Sequence, residues 1–92
     1  MSPDDVDSAL TDLDGWSAVG DRPAIEKTFK FADFNAAWAF MSACALWAEK
    51  NNHHPEWNNV YSRVGVVLTT HDAGGVTELD VGFARFMNEV AG

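Results

Sequence analysis

The sequence predicts an α+β fold, a two-layer sandwich in which helices cover one face of a four-stranded antiparallel sheet. The first observation is hydrophobic periodicity: three segments repeat apolar residues at helical spacing, and four shorter ones alternate apolar with polar residues. The second is the order of these segments, α-β-β-α-β-β-α, which groups the strands in pairs between helices. The third is a weak internal echo, because residues 37–41 and 83–87 both end in Phe-Met after a strand pair.

The N-terminal elements follow from capping residues and alternation. Ser2-Pro3 followed by two aspartates is typical of a helix start. We expect the first strand over residues 16–19 and the second over residues 24–31, joined by the turn-rich residues 20–23. Within the second strand, Lys27 interrupts the apolar side of the alternation.

The long helix is predicted to begin after Asp33, its N-cap, and to run to about Lys50. One apolar stripe is expected to face the core, and it contains Phe34, Ala37, Trp38, Met41, Ala45 and Ala48. A second stripe contains Ala36, Phe40, Ala43 and Trp47. Because a small domain offers a helix one core, we expect Phe40 and Trp47 to form an interface in a homodimer or homotetramer built through the 33–50 helix. The alternative is that a loop or the first helix covers this stripe.

The C-terminal half is predicted to contain a hairpin and a closing helix. Residues 58–61 and 64–70 alternate as two strands that turn at Ser62-Arg63. Thr77 and Asp80 have the spacing of a capping box at the start of the last helix.

Length and charge limit the classes of function. Ninety-two residues predict one domain, residues 1–92, that buries only part of its surface and would gain from self-association. Hydrophobic residues make up 47% of the chain, which argues against disorder. Six basic and fourteen acidic residues leave a formal charge of −8, which disfavours binding to nucleic acid or to an anionic membrane.

The single cysteine and the N-terminal residues indicate the cellular compartment of the protein. Cys44 has no partner for an internal disulfide and lies in an apolar helical pattern, where a buried thiol is expected. Residues 1–5 are acidic and lack the basic and apolar regions of a secretory leader. No apolar run approaches the length of a membrane span. The sequence therefore predicts a soluble, cytoplasmic protein.

Chemistry concentrates between the long helix and the hairpin, in Glu49-Lys50-Asn51-Asn52-His53-His54-Pro55-Glu56-Trp57. Histidine exchanges protons near neutral pH, since its ordinary pKa is about 6.5. Pro55 restricts His54 to an extended conformation, so the side chains of His53 and His54 should point to different sides and do different jobs. The third histidine, His71, lies just beyond a predicted strand.

The residues alone leave three explanations of these histidines open. Acid–base catalysis is favoured, because Glu49, Asp72 and Asp80 could join them if the ends of the elements converge. A zinc or iron site has too little support, since neighbouring histidine side chains diverge and the H-E-x-x-H motif and a cysteine pair are absent. The third explanation is a structural role for the histidines. Helix capping alone would explain why an acidic residue stands at Asp80. Trp16 is either a core residue or a flat wall for a planar heterocycle.

Several motifs together resemble the pterin-4a-carbinolamine dehydratase family. They are Glu49-Lys50-x-x-His53-His54-Pro55-x-Trp57-x-x-x-Tyr61, Thr70-His71-x-x-x-Gly75, Thr77-x-x-Asp80 and Phe29-x-Phe31-x-Asp33-Phe34-Asn35. The resemblance runs from about Trp16 to Ala91. It implies the α-β-β-α-β-β-α fold and a hydro-lyase that converts 4a-hydroxytetrahydropterin to quinonoid dihydropterin. This reaction recycles the tetrahydropterin cofactor of aromatic amino acid hydroxylases.

The resemblance also implies the site residues. Catalytic positions match His53, His54 and His71, and the expected substrate-binding positions are Glu49, Asn52, Pro55, Trp16 and Asp80. Asn52 stands where some relatives have Asp, so a carboxylate is absent there. The implied ligand is the pterin substrate, with no cofactor and no metal.

Animal relatives suggest an alternative of another class. They also serve as dimerisation partners of a homeodomain transcription factor, so this chain could be a non-catalytic protein-binding module or could stabilise a partner hydroxylase. Retention of all three histidines favours the enzyme, because a pure interaction module would not need them.

Overall fold

Three helices and four strands occur in the predicted order. The structure is a computed structural model that describes residues 1–92. The helices are α1 (Pro3–Leu10), α2 (Phe34–Lys50) and α3 (Glu78–Ala91), and the strands are β1 (Ser17–Ala18), β2 (Ile25–Lys30), β3 (Glu56–Val60) and β4 (Arg63–Leu68). A 3-10 helix (His71–Ala73) follows β4. None of the helices combines the length and apolar character that a membrane span requires.

The four strands form one antiparallel sheet in the order β1-β2-β4-β3. The side chains of one face are buried against the helices, with Ile25, Phe29, Val64, Val66 and Leu68 in the core. On the other face the side chains of Glu26, Thr28 and Asn58 are exposed. The predicted α+β sandwich with helices on one face is therefore confirmed.

The contacts of Lys27 explain how a charged residue can stand on the apolar side of β2. Its Nζ donates hydrogen bonds to the Asp14 carbonyl oxygen at 2.9 Å and to Asn88 Oδ1 at 2.8 Å, and it lies 4.5 Å from the centre of the Phe29 ring. The aliphatic stem can thus cover the core while the ammonium group is fully partnered.

The hairpin turns one residue earlier than predicted, at Tyr61-Ser62. Tyr61 adopts a positive φ of 51°, and the Asn59 side chain donates to the carbonyl oxygens of Tyr61 at 3.1 Å and Arg63 at 2.9 Å. These bonds offset the local cost of the left-handed backbone. β3 also begins at Glu56, two residues before the predicted start, and β1 is reduced to two residues.

The buried side of α2 lies between the two predicted stripes and takes residues from both. Ala37, Phe40, Cys44 and Ala48 are buried. Trp38, which was assigned to the core, is 55% exposed, whereas Phe40 is only 2% exposed. Phe40 is therefore enclosed within the domain and is not available for an oligomer interface, whereas Trp47 is partly buried, and self-association through the 33–50 helix stays a prediction.

Aromatic packing explains this orientation of α2. The Phe40 ring lies 4.7 Å from the Phe29 ring and 5.1 Å from the Phe31 ring, both contributed by the β2 segment. The Trp47 ring stacks on Phe83 of α3 at 4.1 Å. The rings of β2, Phe31 and α3 thus offer Phe40 and Trp47 aromatic partners, and this packing sets the rotation of α2 that leaves Trp38 exposed.

The predicted caps of all three helices are confirmed. Ser2 accepts from the Asp5 backbone N–H at 3.1 Å, and Asp33 accepts from the Ala36 N–H at 2.8 Å. The bond from the Ser2 backbone lowers the pKa of the Asp5 carboxyl below its usual value. Thr77 and Asp80 form the capping box of α3.

Candidate active site

The end of α2 directs His53 into the protein. Asn51 caps the helix, and Asn52 adopts a positive φ of 49°. The His53 backbone N–H then donates to the Ala48 carbonyl oxygen at 2.9 Å, which closes the last turn. This reversal brings the His53 side chain under the start of α3.

His53 is held by a buried carboxylate. Its Nε2 lies 2.5 Å from Asp80 Oδ1, and only 8% of the residue is exposed. Asp80 Oδ2 accepts from Thr70 Oγ1 at 2.8 Å and from the Thr77 backbone N–H at 2.9 Å. Because a carboxylate accepts hydrogen bonds, this contact favours a hydrogen on Nε2 and leaves Nδ1 as the nitrogen for other chemistry.

The fully buried Asp80 lies behind His53. Sequence analysis expected it at a substrate-binding position, with capping as the plain alternative. The structure places the carboxylate in both the capping box and the His53 contact, with no accessible surface of its own. Asp80 therefore has a supporting position rather than one that faces a ligand.

His54 points away from His53, in agreement with the extended backbone expected before Pro55. Its Nε2 lies 3.3 Å from Glu49 Oε1, on the last turn of α2, and both side chains are largely exposed. A pair of this kind is screened by water and is easily rearranged. His54 is thus free to turn toward a ligand.

His71 begins the 3-10 helix after β4. The loop from Thr70 to Gly75 is closed by backbone hydrogen bonds in both directions between these two residues, at 2.9 and 3.2 Å. Gly74 ends the 3-10 helix with a φ of 71°, a left-handed conformation that glycine adopts without steric cost. The His71 side chain is 81% exposed, and its Nε2 lies 3.7 Å from Glu56 Oε2.

A polar depression of about 300 Å³ brings the three histidines together. It is lined by Asn52, His53, His54, Thr69, Thr70, His71, Asp72 and Leu79. Sequence reasoning missed Thr69 and Leu79. Leu79 is exposed and forms the one apolar part of the lining.

Four predicted substrate-binding residues lie outside this lining. Glu49 and Pro55 flank the histidines in sequence, and Asp80 is buried behind His53. Trp16 is buried in the core, where its Nε1 donates to Asn88 Oδ1 at 3.0 Å and its ring meets the edge of Phe29. The structure therefore assigns Trp16 the core position that the sequence left as one of two options.

A second cavity, of about 280 Å³, lies between α1 and residues 73–76 and has no histidine in its lining. No three histidine, cysteine, aspartate or glutamate side chains are grouped so that they could hold a metal ion. His53 already uses one ring nitrogen on Asp80, and His54 and His71 lie near different glutamates. That the protein works without a metal stays a prediction.

Comparisons with known proteins agree with this arrangement. Residues 1–90 match the family model described as pterin 4 alpha carbinolamine dehydratase. A Rhodopseudomonas palustris (strain BisB18) protein, provisionally named a pterin-4-alpha-carbinolamine dehydratase, is 57% identical over 99% of this chain and 90% of its own length. A Bordetella avium (strain 197N) protein with the same provisional name is 60% identical over 95% of this chain and 81% of its own length.

Two solved structures are similar to this fold. A crystal structure described as a transcriptional coactivator/pterin dehydratase from Brucella melitensis has a TM-score of 0.99 and 52% identity, and the match covers 100% of this chain and 98% of that one. A pterin dehydratase-like protein identified as a RuBisCO assembly factor in the alpha-carboxysome has a TM-score of 0.73 and 26% identity, over 85% of this chain and 90% of that one.

Proposed function

The chain belongs to the pterin 4 alpha carbinolamine dehydratase family, and we propose on this premise that it dehydrates 4a-hydroxytetrahydropterin to quinonoid dihydropterin. The observation that carries the proposal is the depression lined by three histidines, one of which is bonded to a buried carboxylate. Histidines are suited to this reaction because each step is a proton transfer near neutral pH.

The reaction requires one acid and one base. The acid protonates the 4a-hydroxyl group, which leaves as water, and the base removes the proton from N5. The electron pair of the N5–H bond becomes the second bond between N5 and C4a, so the net change is the loss of one water. A positioned acid or base is worth about 10²- to 10⁴-fold in rate, and neither a cofactor nor a metal has a step to perform.

We assign the two proton transfers to His53 and His71, and the orientation of the pterin to His54. His53 supports this assignment because Asp80 holds its Nε2, which leaves Nδ1 as the atom for proton exchange. His71 and Asn52 line the same depression, so Asn52 offers an amide to the polar edge of the pterin. Asp80 acts through His53 and is a positioning residue.

The wider role follows from the chemistry. The product returns to a tetrahydropterin after reduction, so the protein would serve tetrahydrobiopterin recycling for an aromatic amino acid hydroxylase. A cytoplasmic location and a homo-oligomer built through the 33–50 helix belong to the same proposal.

A non-catalytic protein-binding module is the second candidate. Two observations favour it: the described roles of the similar structures as a coactivator and as an assembly factor, and the exposed apolar side chains of α2, namely Phe34, Trp38 and Leu46. Against it, a binding module has no use for a buried His53–Asp80 pair beneath a polar depression.

Single substitutions of the histidines test the proposal. The substrate is generated enzymatically, and its disappearance is followed by ultraviolet absorbance with wild type, His53→Ala, His54→Ala and His71→Ala. We expect a fall in kcat for His53→Ala and His71→Ala and mainly a rise in KM for His54→Ala. Lys30→Ala, on the exposed face of the sheet, is the control. Unchanged turnover in all three histidine variants would contradict acid–base catalysis.

A further inference from the structure

A second carboxylate, outside the lining of the depression, lies beside His71. Glu56, the first residue of β3, has its Oε2 3.7 Å from His71 Nε2. This separation is within ion-pair range but is longer than a hydrogen bond. Each of the three histidines therefore lies near one carboxylate: His53 is bonded to the buried Asp80 at 2.5 Å, and His54 and His71 lie beside the exposed Glu49 and Glu56.

Arg22 fixes the Glu56 carboxylate. Its two terminal nitrogens donate one hydrogen bond each to the two carboxylate oxygens, both at 2.8 Å, although the residues are 34 positions apart. A bidentate pair of this geometry restricts both side chains far more than a single contact does. The bonds from Arg22, aided by the nearby His71, hold the pKa of the Glu56 carboxyl below its usual value.

The turn that carries Arg22 is anchored beside the site. Pro23 follows it, and the Pro23 carbonyl oxygen accepts from Thr69 Oγ1 at 2.9 Å. Thr69 lines the histidine depression and comes two residues before His71. The turn, the start of β3 and the His71 segment are therefore joined by hydrogen bonds at one end of the sheet.

We propose that Glu56, clamped by Arg22, is a positioning residue for His71, an inference that rests on the proposed dehydratase reaction. The carboxylate keeps the exposed imidazole on the site side of the 3-10 helix and stabilises the positive charge that the ring acquires when it takes a proton. Asp72 also lines the depression, but no arginine holds its carboxylate as Arg22 holds that of Glu56.

The experiment is a double-mutant cycle on the proposed reaction. Glu56→Gln keeps the size of the side chain and removes its charge, and we expect kcat to fall about 3- to 10-fold with KM little changed, as suits a partly exposed pair. In the His71→Ala background the same change should cost nothing further. Arg22→Gln should reproduce part of the loss in wild type and add none to Glu56→Gln.

Glu26→Gln is the matched control. Glu26 and Glu56 both pair in register with Val67 on either side of β4, so the two changes remove the same charge from the same exposed face. Wild-type turnover in Glu56→Gln, or an equal loss in the presence and absence of His71, would overturn the inference while leaving the dehydratase proposal standing.

A second readout separates the two proposals. If wild type does not accelerate dehydration, the proposed function fails, and the positioning of His71 is then judged from its ring carbon-bound proton signals in NMR spectra. Signals that move in Glu56→Gln and Arg22→Gln but not in Glu26→Gln would support the Glu56–His71 contact. Signals that are the same in all three variants would overturn it.

Discussion

Asp80 links the start of the last helix to the histidine depression. Its carboxylate accepts from Thr77 and Thr70 and binds His53, so all of its contacts are made inside the protein. A buried carboxylate with these partners is costly to replace, because the donors around it lose their acceptor. The residue therefore bears on both stability and the proposed reaction.

Asp80→Asn separates the positioning of His53 from general folding. A neutral amide can accept from Thr77 but places no negative charge beside His53, so we expect kcat to fall by about 10²-fold. The free energy of unfolding should fall by about 1–3 kcal/mol. Turnover and urea unfolding measure the two effects. Thr77→Ala removes the cap hydroxyl and its contact with Thr70 but keeps the backbone N–H that donates to Asp80, so it should lose about 1 kcal/mol of stability with kcat retained. Equal kcat values for Asp80→Asn and wild type would refute the role of Asp80.

Cys44 is predicted to be inert. Burial among apolar side chains raises the pKa of its thiol to about 12, so the reactive thiolate is scarce at pH 8. Iodoacetamide at that pH should leave the folded protein unmodified and should label it fully in denaturant, as read by mass spectrometry. Rapid labelling of the folded protein would show that the thiol is not buried.

Single residues show where sequence reasoning reached its limit. The spacing of Thr77 and Asp80 predicted the capping box because both partners lie within four residues. The contact between His53 and Asp80, and the clamp of Glu56 by Arg22, join residues 27 and 34 positions apart. Such pairs depend on which helices, strands and turns become neighbours in the fold, and local patterns do not contain that information.

α2 illustrates the same limit at the scale of one element. Its length and its cap at Asp33 were predictable from local signals. Its rotation about its own axis was not, because apolar residues occupy most of its circumference and periodicity alone does not rank the two stripes. The rings contributed by β2 and α3 decide the matter by packing on Phe40 and Trp47.

Two aromatic truncations test the orientation of α2. Phe40→Ala should reduce the free energy of unfolding by about 3–5 kcal/mol, because it leaves a cavity among buried rings. Trp38→Ala removes an exposed ring and should change it by less than about 0.5 kcal/mol in the monomer. Urea titrations at low protein concentration provide both values. The reverse ranking would favour the stripe first assigned to the core.

At the scale of the whole molecule, the sandwich could be predicted because caps and hydrophobic periodicity identified each helix and strand from its own residues. The open face of the sheet and the exposed side of α2 are the surfaces that remain available for contacts with other molecules. On α2 the Phe34 and Trp38 rings stack with centroids 6.0 Å apart, both exposed. We predict that self-association through the 33–50 helix depends on this exposed pair rather than on the buried Phe40.

Self-association should therefore respond to Trp38 and to salt. Each copy carries a formal charge of −8, so association brings like charges together and should strengthen as salt screens them. Sedimentation velocity at about 0.05 and 0.5 M salt is the measurement, since these concentrations span the range over which screening becomes strong. We expect Trp38→Ala to shift the protein toward the monomer, with Glu26→Gln as a control. Identical behaviour of Trp38→Ala and wild type would exclude this face.

The most direct test of the account is the rate at which enzymatically generated 4a-hydroxytetrahydropterin disappears with chelator-treated protein. We predict that wild type accelerates the decay, that chelation leaves the acceleration unchanged, and that His53→Ala abolishes most of it. All three results would follow from proton transfer by histidines held in one depression. No acceleration at any protein concentration, or an acceleration that requires added metal, would contradict the proposed mechanism.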